Sequence, residues 1–538
     1  MSAKQTKTPA SIGEAGVLYG FDPSNTNKIN AMRMTATGAI LTSPGLGSKD
    51  VTGRQKVSFH QNIYDADFEY GTQPLRWENL LNGAGTITHL PGEGGVRMRI
   101  TTAANDITIR QSRPYHRYQP GKTMRMATAC NFGTAQANQR QRVGFFDDSN
   151  GVFFEQADPT GTNPYGMHVV VRNDINNVPT DTRISIENWN GDKDIIASLD
   201  WTRIQMLEVE YAWYGAGALR WGVYINGDYY LLHVIGTGNS VDVLSAGGRT
   251  KPWSRTGNLP VRYEQRNLAA VAASNDFIHY GVSVIVEGGV DDQRGFTYPY
   301  GLAIGTPRRN VPSSTIRFPI LSIKLRSMGT VEASQSSGSG AITSGTTTGM
   351  TVTNSVWTVN QWVGRFVFFP SLALTARITA NTANTLTFAD VVSGLPIPAA
   401  PTAGIAYQIG LLNRGQLLPK KLRISASALA QIELIASIPG SPIVLTGANF
   451  VSTASLGSVN SFGERDVSAT AYVSGGEVVE RTTLPAGGSG LVEIDLQNLF
   501  PLYNSIRGNQ PDTLTLVVTT GGSASDVGAD LLAQEAMS

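Results

Sequence analysis

The sequence predicts an all-β fold: a large jelly-roll or β-sandwich domain, then two smaller β modules, with an extended N-terminal arm. Three observations support this. Apolar and polar residues alternate with period two in segments such as VRMRIT, MRMATACNF and MLEVEYAW, which indicates strands with one buried face. Two Asn-Gly pairs stand between strand-like segments: Asn150-Gly151 between VGFFDDS and VFFE, and Asn226-Gly227 between RWGVYI and DYYLLHVI. Charged residues make up only 15% of the 538 residues while glycine occurs 58 times, a composition typical of strands and turns.

Residues 1–50 predict an extended docking arm. Short apolar pairs alternate there with Gly, Pro, Asn and Thr, without a helical period. The recurring apolar side chains favour docking onto a neighbouring subunit over a free terminus, because disordered tails contain few of them. These side chains are Tyr19, Phe21, Met32, Met34 and Leu41.

The main domain is predicted over residues 51–330. Asn150-Gly151 and Asn226-Gly227 separate apolar segments and predict two-residue hairpin turns, since Asn and Gly readily adopt the positive φ that these turns need. Strands at this spacing, with almost no helical pattern, favour a jelly roll or β-sandwich.

Two smaller modules are predicted after the main domain. Residues 331–412 begin with a Ser/Gly-rich linker, SQSSGSGAITSGTTTGM, and continue into a small β module. Residues 413–538 form a C-terminal β-sandwich module with strand-like segments such as AQIELIAS and DTLTLVVTT. The tail, SDVGADLLAQEAMS, is the best helix candidate of the chain.

Charge and composition exclude several classes of protein. The net charge of +1 gives no general attraction for nucleic acid or anionic lipid. No segment reaches the ~18–20 apolar residues of a membrane span, and MSAKQTKTPA lacks the apolar core of a signal peptide. Cys130 is the single cysteine, which excludes an intrachain disulfide and favours a small buried residue. We therefore expect synthesis in a cytoplasm without secretion, and no membrane insertion.

Several segments of the main domain resemble a recurrent module of tailed-bacteriophage virion proteins. They are QRVGFFDDSNGVFFE, SLDWTRIQMLEVEYAWYGAGALRWGVYINGDYYLLH, LPVRYEQRN and SVIVEGG, in this order. ARITANTANTLTF with AYQIG is similar to small β modules of phage fibres, and LPKKLRISAS with DVSATAYVSGG to C-terminal modules of the same virion proteins. The resemblance implies a concanavalin-like jelly roll, which does not by itself imply sugar binding.

Paired carboxylates are the first candidates for catalysis. Glu208 and Glu210 lie two residues apart on a predicted strand and share a face, as the acid and nucleophile of a glycosidase can. Glu493 and Asp495 form a second pair, but Asn498 stands where a third acid is expected in jelly-roll glycanases. A solvated strand face explains both pairs better, so no catalytic residue is predicted and the chain is predicted not to be an enzyme.

Metal and cofactor sites are not predicted. WNGDKD and DDSN are oxygen-rich and can hold calcium, but neither has the glycine and final glutamate of an EF-hand loop, and turns use the same residues. The histidines have no metal-binding spacing, and no phosphate-binding glycine motif follows a strand. The histidines are His60, His89, His116, His168, His233 and His279.

Aromatic side chains are the best binding candidates. Outward-facing Trp or Tyr beside polar groups can stack on sugar rings, and can equally pack against another subunit; about half must face the core instead. The segment RPYHRYQPGK adds a local basic and aromatic patch, for which a turn or an interface is favoured. The predicted binding residues are Trp189, Trp213, Trp221, Tyr229 and Trp253.

These observations together predict a bacteriophage virion structural protein. We expect a tail-associated fibre or appendage that presents β domains for attachment to the host surface. A head-attached fibre or a capsid decoration (cement) protein is the alternative, and a capsule polysaccharide depolymerase is a third. The expected partners are other virion proteins of the tail, baseplate or capsid, further copies in a homo-oligomer such as a trimer, and a host surface glycan. No nucleic-acid partner and no cofactor are expected, and the expected location is the virion.

Overall fold

The computed structural model describes residues 60–536, except 215, 239–250, 289–294, 303–307, 314–315, 337, 339–340, 438–439, 454–457, 459, 486–490, 498 and 500, together with three N-terminal strands. These strands form an antiparallel sheet in a separate compact unit, Met1–Val57. Most of the predicted docking arm, residues 1–50, lies outside the described residues, and docking stays a prediction. The three strands are β1 (Val17–Phe21), β2 (Ile29–Met34) and β3 (Ile40–Leu41).

The main domain is a sandwich of two antiparallel sheets, which confirms the prediction of an all-β chain with a large β-sandwich. A short helix, α1 (Lys193–Ser198), and a 3-10 turn, Ile186–Asn188, stand between two of its strands. The strands are β4 (His60–Ala66), β5 (Trp77–Asn82), β6 (Thr86–Leu90), β7 (Gly95–Ile100), β8 (Ile107–Ser112), β9 (Met124–Asn131), β10 (Gln139–Phe146), β11 (Gly151–Ala157), β12 (Met167–Asn173), β13 (Thr180–Ser185), β14 (Gln205–Tyr211), β15 (Leu219–Ile225), β16 (Asp228–Ile235), β17 (Val261–Asn267) and β18 (Asn275–Glu287).

The order of strands within the two sheets shows how the sandwich is built. One sheet has seven strands in the order β13-β12-β11-β10-β17-β8-β5. The other runs β16-β15-β14-β9-β18-β7-β6, with β4 also paired to β18. Alternate residues of both sheets meet in one large core rich in Trp, Phe, Tyr and Met.

The two Asn-Gly pairs behave differently. Asn226 and Gly227 both have positive φ (53° and 92°) and form the predicted two-residue turn between β15 and β16. Asn150-Gly151 also lies in a hairpin, but the prediction of a two-residue turn there was wrong. Gly151 pairs with Phe146, so the loop between the strands spans residues 147–150.

The chain then continues through two smaller β modules. Three strands follow the main sandwich: β19 (Phe296–Gly301), β20 (Arg309–Val311) and β21 (Phe318–Leu325). The small module follows, with β22 (Met328–Gln335), β23 (Ser344–Thr346), β24 (Gly349–Thr351), β25 (Phe366–Phe369), a 3-10 turn at Pro370–Leu372, β26 (Leu374–Asn381), β27 (Thr385–Asp390) and β28 (Tyr407–Leu412). The C-terminal strands are β29 (Gln416–Ala426), β30 (Ala430–Ala436), β31 (Val444–Thr446), β32 (Val451–Ser452), β33 (Gly463–Asp466), β34 (Ala471–Ser474), β35 (Glu477–Leu484), β36 (Val492–Asp495), β37 (Thr513–Thr520) and β38 (Ser525–Ala536).

Strand pairing moves the predicted end of the main domain and shortens the predicted linker. Strands β19, β20 and β21 pair with β38 and β37, so they belong to the C-terminal sandwich and not to a main domain ending at 330. The small module is therefore inserted into the C-terminal sandwich, between β21 and β29. Part of the segment predicted as a linker is ordered sheet, because β23 pairs with β24.

The predicted C-terminal helix was wrong. β38 is an inner strand of its sheet, between β19 and β29, and its residues alternate between buried and less buried positions. Val527, Leu531 and Ala533 face the apolar core of the C-terminal sandwich. The pairing with β29 outweighs the helix propensity of its Ala, Leu, Gln and Glu residues. No helix among the described residues has the length and hydropathy needed to cross a membrane.

Candidate functional site

Three of the five predicted binding aromatics lie in the core of the main sandwich. Trp189, Trp221 and Trp253 have no exposed surface. The indole Nε1 of Trp189 donates to the carbonyl of Ile184 at 3.0 Å, and that of Trp221 to the carbonyl of Phe153 at 3.2 Å. The prediction that these three side chains form a binding surface was wrong, because they occupy the inward positions of the period-two pattern.

The other two predicted aromatics are half-buried. Trp213 donates from Nε1 to the carbonyl of Ser254 at 2.9 Å. Tyr229 lies over Gly222, where a Cβ atom would come within 2.3 Å of its ring, and packs against Tyr224 with ring centroids 5.4 Å apart. Both keep part of their rings accessible, so their role in binding stays a prediction.

The carboxylate pair of β14 is enclosed by cations and a phenol. Glu208 and Glu210 face away from the core and are each 2% exposed. Tyr224 donates its hydroxyl to Glu208, Arg125 lies 3.5 Å from the same carboxylate, and Arg220 lies 3.6 Å from Glu210. The solvated-face interpretation was therefore wrong for this pair: it is a buried, neutralised charge cluster that presents little carboxylate surface to a sugar ring.

The second pair lies on an exposed strand face, as the solvated-face interpretation predicted. Glu493 accepts from Lys421 Nζ and Arg423 Nε, both at 2.9 Å. These two hydrogen bonds lower the pKa of Glu493 from its ordinary value. Asp495 accepts from the backbone N–H of Gln497 at 2.9 Å. Asn498, the third position of the pattern, lies outside the described residues.

The two oxygen-rich loops use their side chains within the fold. Asp192 caps helix α1 by accepting from the Ile195 N–H at 3.1 Å, and Asn190 accepts from the Val234 N–H at 2.9 Å. Asp147 accepts from the backbone of its own loop. No group of three or more His, Cys, Asp or Glu that could hold a metal ion occurs in the described part of the chain.

Three buried histidines and the cysteine are held neutral by burial. Burial lowers the pKa of His116 to about 3 and that of His233 to about 4, and it lowers the pKa of His279 well below its ordinary value. Burial also raises the pKa of the Cys130 thiol. At neutral pH these side chains are uncharged groups of the core.

Sequence reasoning missed a layer of charged side chains on the outward face of the seven-stranded sheet. Arg142 lies opposite Glu155 on β11 and Glu264 on β17. Its Nε is 2.6 Å from Glu155 Oε2 and its Nη1 is 2.7 Å from Glu264 Oε1. We call the set the arginine–carboxylate layer. It consists of Arg140, Arg142, Asp148, Glu155, Arg172, Asp181, Arg183, Arg262, Glu264 and Arg266.

The carboxylates of this layer stay ionised despite their burial. Burial alone would raise the pKa of Glu155, but Arg142 and Arg183 outweigh it and hold that pKa at about 2. The pKa of Glu264 is likewise held at about 2, because Arg266, Arg142 and Arg262 together outweigh burial. Charged residues two positions apart in RQRVGF and VRYEQR, with Arg, Glu and Arg at alternate positions of the second segment, were the signal that could have revealed the layer.

The small module covers part of this layer. Arg266 donates from Nη2 to the carbonyl of Val392 at 3.0 Å, and Arg377 of the module donates to Ser149 Oγ at 2.6 Å. A cavity of about 320 Å³ lies between the sheet and the module. It is lined by Arg140, Asp148, Arg172, Pro179, Asp181, Arg183, Arg266, Val391 and Val392.

A second region, the three-module junction, joins the main sandwich, the small module and the C-terminal sandwich. Arg113 of the main sandwich forms a buried ion pair with Asp512 of the C-terminal sandwich. Arg507 pairs with Asp390 of the small module at 2.8 Å. An apolar cluster from all three parts fills the junction. It contains Leu80, Ile107, Ile109, Met328, Phe366, Val391, Val392 and Ile506.

Glu78 is the unusual acid of this junction. Its Oε2 accepts from the backbone N–H of Ile506 at 2.9 Å. Burial raises the pKa of Glu78 to about 7, since the opposing effect of Arg113 is smaller and Arg113 is also paired with Asp512. Near neutral pH this carboxyl group therefore changes its charge at a contact between two modules.

Comparison with known proteins gives structural neighbours only. No family model and no curated protein matches the chain. A glycosyl hydrolase family 16 protein from Mycobacterium smegmatis is 11% identical, with a TM-score of 0.27 over 42% of this chain and 100% of that one. A β-1,3-glucanase from Mycobacterium marinum is 9% identical, with a TM-score of 0.27 over 42% and 98%. A GH43 glycoside hydrolase is 15% identical, with a TM-score of 0.25 over 48% of each chain.

These neighbours correct one prediction. All three are named as glycoside hydrolases or glucanases, which contradicts the prediction that the chain is not an enzyme. That prediction is withdrawn.

Proposed function

We propose that the chain is a structural protein of a tailed-bacteriophage virion, a tail-associated appendage that presents its β domains to the host surface. The observation that carries this proposal is the three-module junction. An appendage must hold its domains at fixed positions relative to the particle, and this requires domains that do not move independently.

The polar contacts across the junction support such stiffness. The side chains of Arg113 and Asp512 are 3% and 6% exposed, so water screens their attraction little. Arg414 donates to the carbonyls of Ser505 and Ile506 at 3.0 and 2.9 Å, which fixes the loop that reaches the main sandwich. Breaking a buried ion pair of this kind costs about 3–5 kcal/mol.

The insertion of the small module supports it further. The module enters after β21 and leaves before β29, so two chain crossings tether it to the C-terminal sandwich. Gln416, at the second crossing, donates to the carbonyl of Tyr115 in the main sandwich at 3.0 Å. Two tethers and a contact to a third domain restrict rotation more than a single linker does.

The sequence resemblance to phage virion modules supports the placement on a virion, and it also implies the partners. These are other virion proteins of the tail, baseplate or capsid, further copies of the chain in a symmetric homo-oligomer, and a host surface glycan. Light scattering of the purified chain measures the oligomer directly, and a trimer mass is the result we expect.

Labelling of intact virions tests the proposal. Antibodies against the C-terminal sandwich, coupled to gold, are applied to particles, with antibody preabsorbed on the purified chain as the control. We expect label at the tail or baseplate. Label confined to the capsid would replace the tail assignment by the head-fibre or decoration alternative, and particles without label would reject a virion role.

Glycan hydrolysis is tested on the same purified chain. Host polysaccharide is incubated with the wild-type chain, and reducing ends are counted. If the wild-type chain releases reducing ends and Glu208→Gln or Glu493→Gln abolishes this release, the chain is a depolymerase and the affected carboxylate pair is the one it uses. Release unchanged in both variants would place the reaction elsewhere.

A further inference from the structure

The cavity under the small module has an excess of positive charge. Four arginines and two aspartates line it, and Arg262 and Arg172 hold the pKa of Asp148 and of Asp181 well below the ordinary value, although burial alone would raise them. The lining therefore carries two positive charges more than negative ones. In a partly buried site such an excess is costly unless an anion compensates it.

Arg140 is the arginine of the cavity whose positive charge is not paired with a carboxylate of the described residues. Its guanidinium forms no hydrogen bond or ion pair with the described part of the chain, and its Nε is a buried donor without a partner. The other three arginines of the cavity each have a partner. Arg172 binds Asp181 at 2.7 Å, Arg183 binds Glu155, and Arg266 lies 2.8 Å from Glu264.

Strand pairing places Arg140 beside another cation. Arg140 on β10 stands directly opposite Arg266 on β17. Like charges directly opposite each other destabilise an antiparallel pair, and burial lowers the pKa of both arginines. The fold keeps this unfavourable pair at the wall of a cavity, where a bound anion can contact both guanidinium groups.

The shape and chemistry of the cavity limit its ligand. A volume of about 320 Å³ is at the lower end for small-molecule sites, which suits one sugar ring. Pro179, Val391 and Val392 supply its apolar surface, and no aromatic side chain is among its described lining residues, which disfavours a nucleobase. Guanidinium groups bind carboxylate, sulfate and phosphate oxygens in a planar, two-pronged geometry.

We propose that this cavity binds the acidic group of a saccharide, a carboxylate or sulfate, with Arg140 and Arg266 as its anion-binding pair. The site does not depend on the virion assignment, because it follows from the described residues alone. A host polysaccharide with uronate or sulfate groups supplies such a ligand, and so does a free sugar acid.

Calorimetric titration of the full-length chain tests the proposal. Glucuronate, glucose 6-sulfate, glucose and inorganic sulfate are compared at constant ionic strength in the wild type, Arg140→Gln and Arg203→Gln. Arg203 is a matched control, since it is 81% exposed and pairs with Asp200 away from the cavity lining. We expect the wild type to bind glucuronate and not glucose, a loss of about tenfold or more in Arg140→Gln, and unchanged binding in Arg203→Gln.

Other outcomes would overturn the proposal. Wild-type chain that binds neither glucuronate nor sulfate excludes the site, and equal affinities in Arg140→Gln and the wild type exclude Arg140. Binding of inorganic sulfate, with neither glucuronate nor glucose 6-sulfate bound in the same titration, overturns the saccharide assignment and leaves a free oxyanion as the ligand. Arg140→Lys, which keeps the charge and loses the two-pronged geometry, replaces Arg140→Gln if thermal melting shows that the glutamine variant is misfolded.

Discussion

The arginine–carboxylate layer of the main sandwich and the Glu493 cluster of the C-terminal sandwich use the same chemistry at different depths. In both, arginine and carboxylate side chains meet across neighbouring antiparallel strands. Arg142 and Glu155 are 2% and 0% exposed, whereas Arg423 and Glu493 are 39% and 45% exposed. The pairs look alike in sequence. They differ in burial, and burial determines whether breaking such a pair strongly lowers the free energy of unfolding or hardly changes it.

Charged partners and burial shift the pKa of a buried carboxyl group in opposite directions. Glu155 is buried and has two arginines, so its pKa falls to about 2. Glu78 is buried near Arg113 and Arg414, but burial outweighs both arginines and Arg113 is also paired with Asp512, so the pKa of Glu78 rises to about 7. The pKa of a buried carboxyl group therefore falls only where the attraction of nearby cations, together with its hydrogen bonds, outweighs desolvation.

The largest effect is expected for Arg142→Met. Methionine keeps much of the side-chain volume and removes the charge, which leaves Glu155 and Glu264 buried without their shared cation. We expect a loss of about 3–5 kcal/mol in the free energy of unfolding of the chain. Urea denaturation followed by tryptophan fluorescence measures it. A loss below about 1 kcal/mol would mean that the buried layer behaves like a surface pair.

A smaller effect, with a pH dependence, is expected for Glu78→Gln. The folded pKa of about 7 lies above the ordinary 4.5, so the favourable contribution of protonated Glu78 is complete below pH 4.5 and is lost as the pH rises through 7. Glutamine can still accept the hydrogen bond from Ile506. At pH 8 we expect the variant to be more stable than the wild type by up to about 3 kcal/mol.

The check on Glu78 is a series of melting curves from pH 4.5 to 8. We expect the difference between wild type and Glu78→Gln to grow with pH across this window. A difference that is constant with pH would show that Glu78 does not take up a proton on folding.

The smallest effect is expected for Arg423→Met, the surface counterpart of Arg142→Met. Water screens the pair with Glu493, and Lys421 remains as a second partner. The same urea experiment should show a change of about 0–1 kcal/mol. A loss as large as that of Arg142→Met would contradict the conclusion that burial separates the two regions.

The sequence predicts the main sandwich well because its signals are local. The hairpin at Asn226-Gly227 joins strands that are neighbours in the chain, and the period-two pattern gives the buried face of each. The C-terminal sandwich is harder, because β21 pairs with β37 across almost two hundred intervening residues. No local signal marks such a pairing, and the helix-forming residues of β38 point to the wrong element.

The candidate site was predicted less completely. The aromatic residues near Trp221 were identified, but alternation alone does not say which face of a strand is inward, and three of the five are core. The arginine–carboxylate layer was missed for a related reason. Its charges look like a solvated strand face, and only the position of the small module shows that residues such as Arg266 are covered.

Differential scanning calorimetry of the full-length chain tests most directly whether the three-module junction couples the main sandwich to the C-terminal sandwich. We expect the main and C-terminal sandwiches of the wild type to unfold in a single coupled transition. In Arg113→Met the buried pair with Asp512 is broken, and we expect two transitions, one for each sandwich. Separate transitions already in the wild type, unchanged by Arg113→Met, would contradict the rigid junction and the proposal built on it.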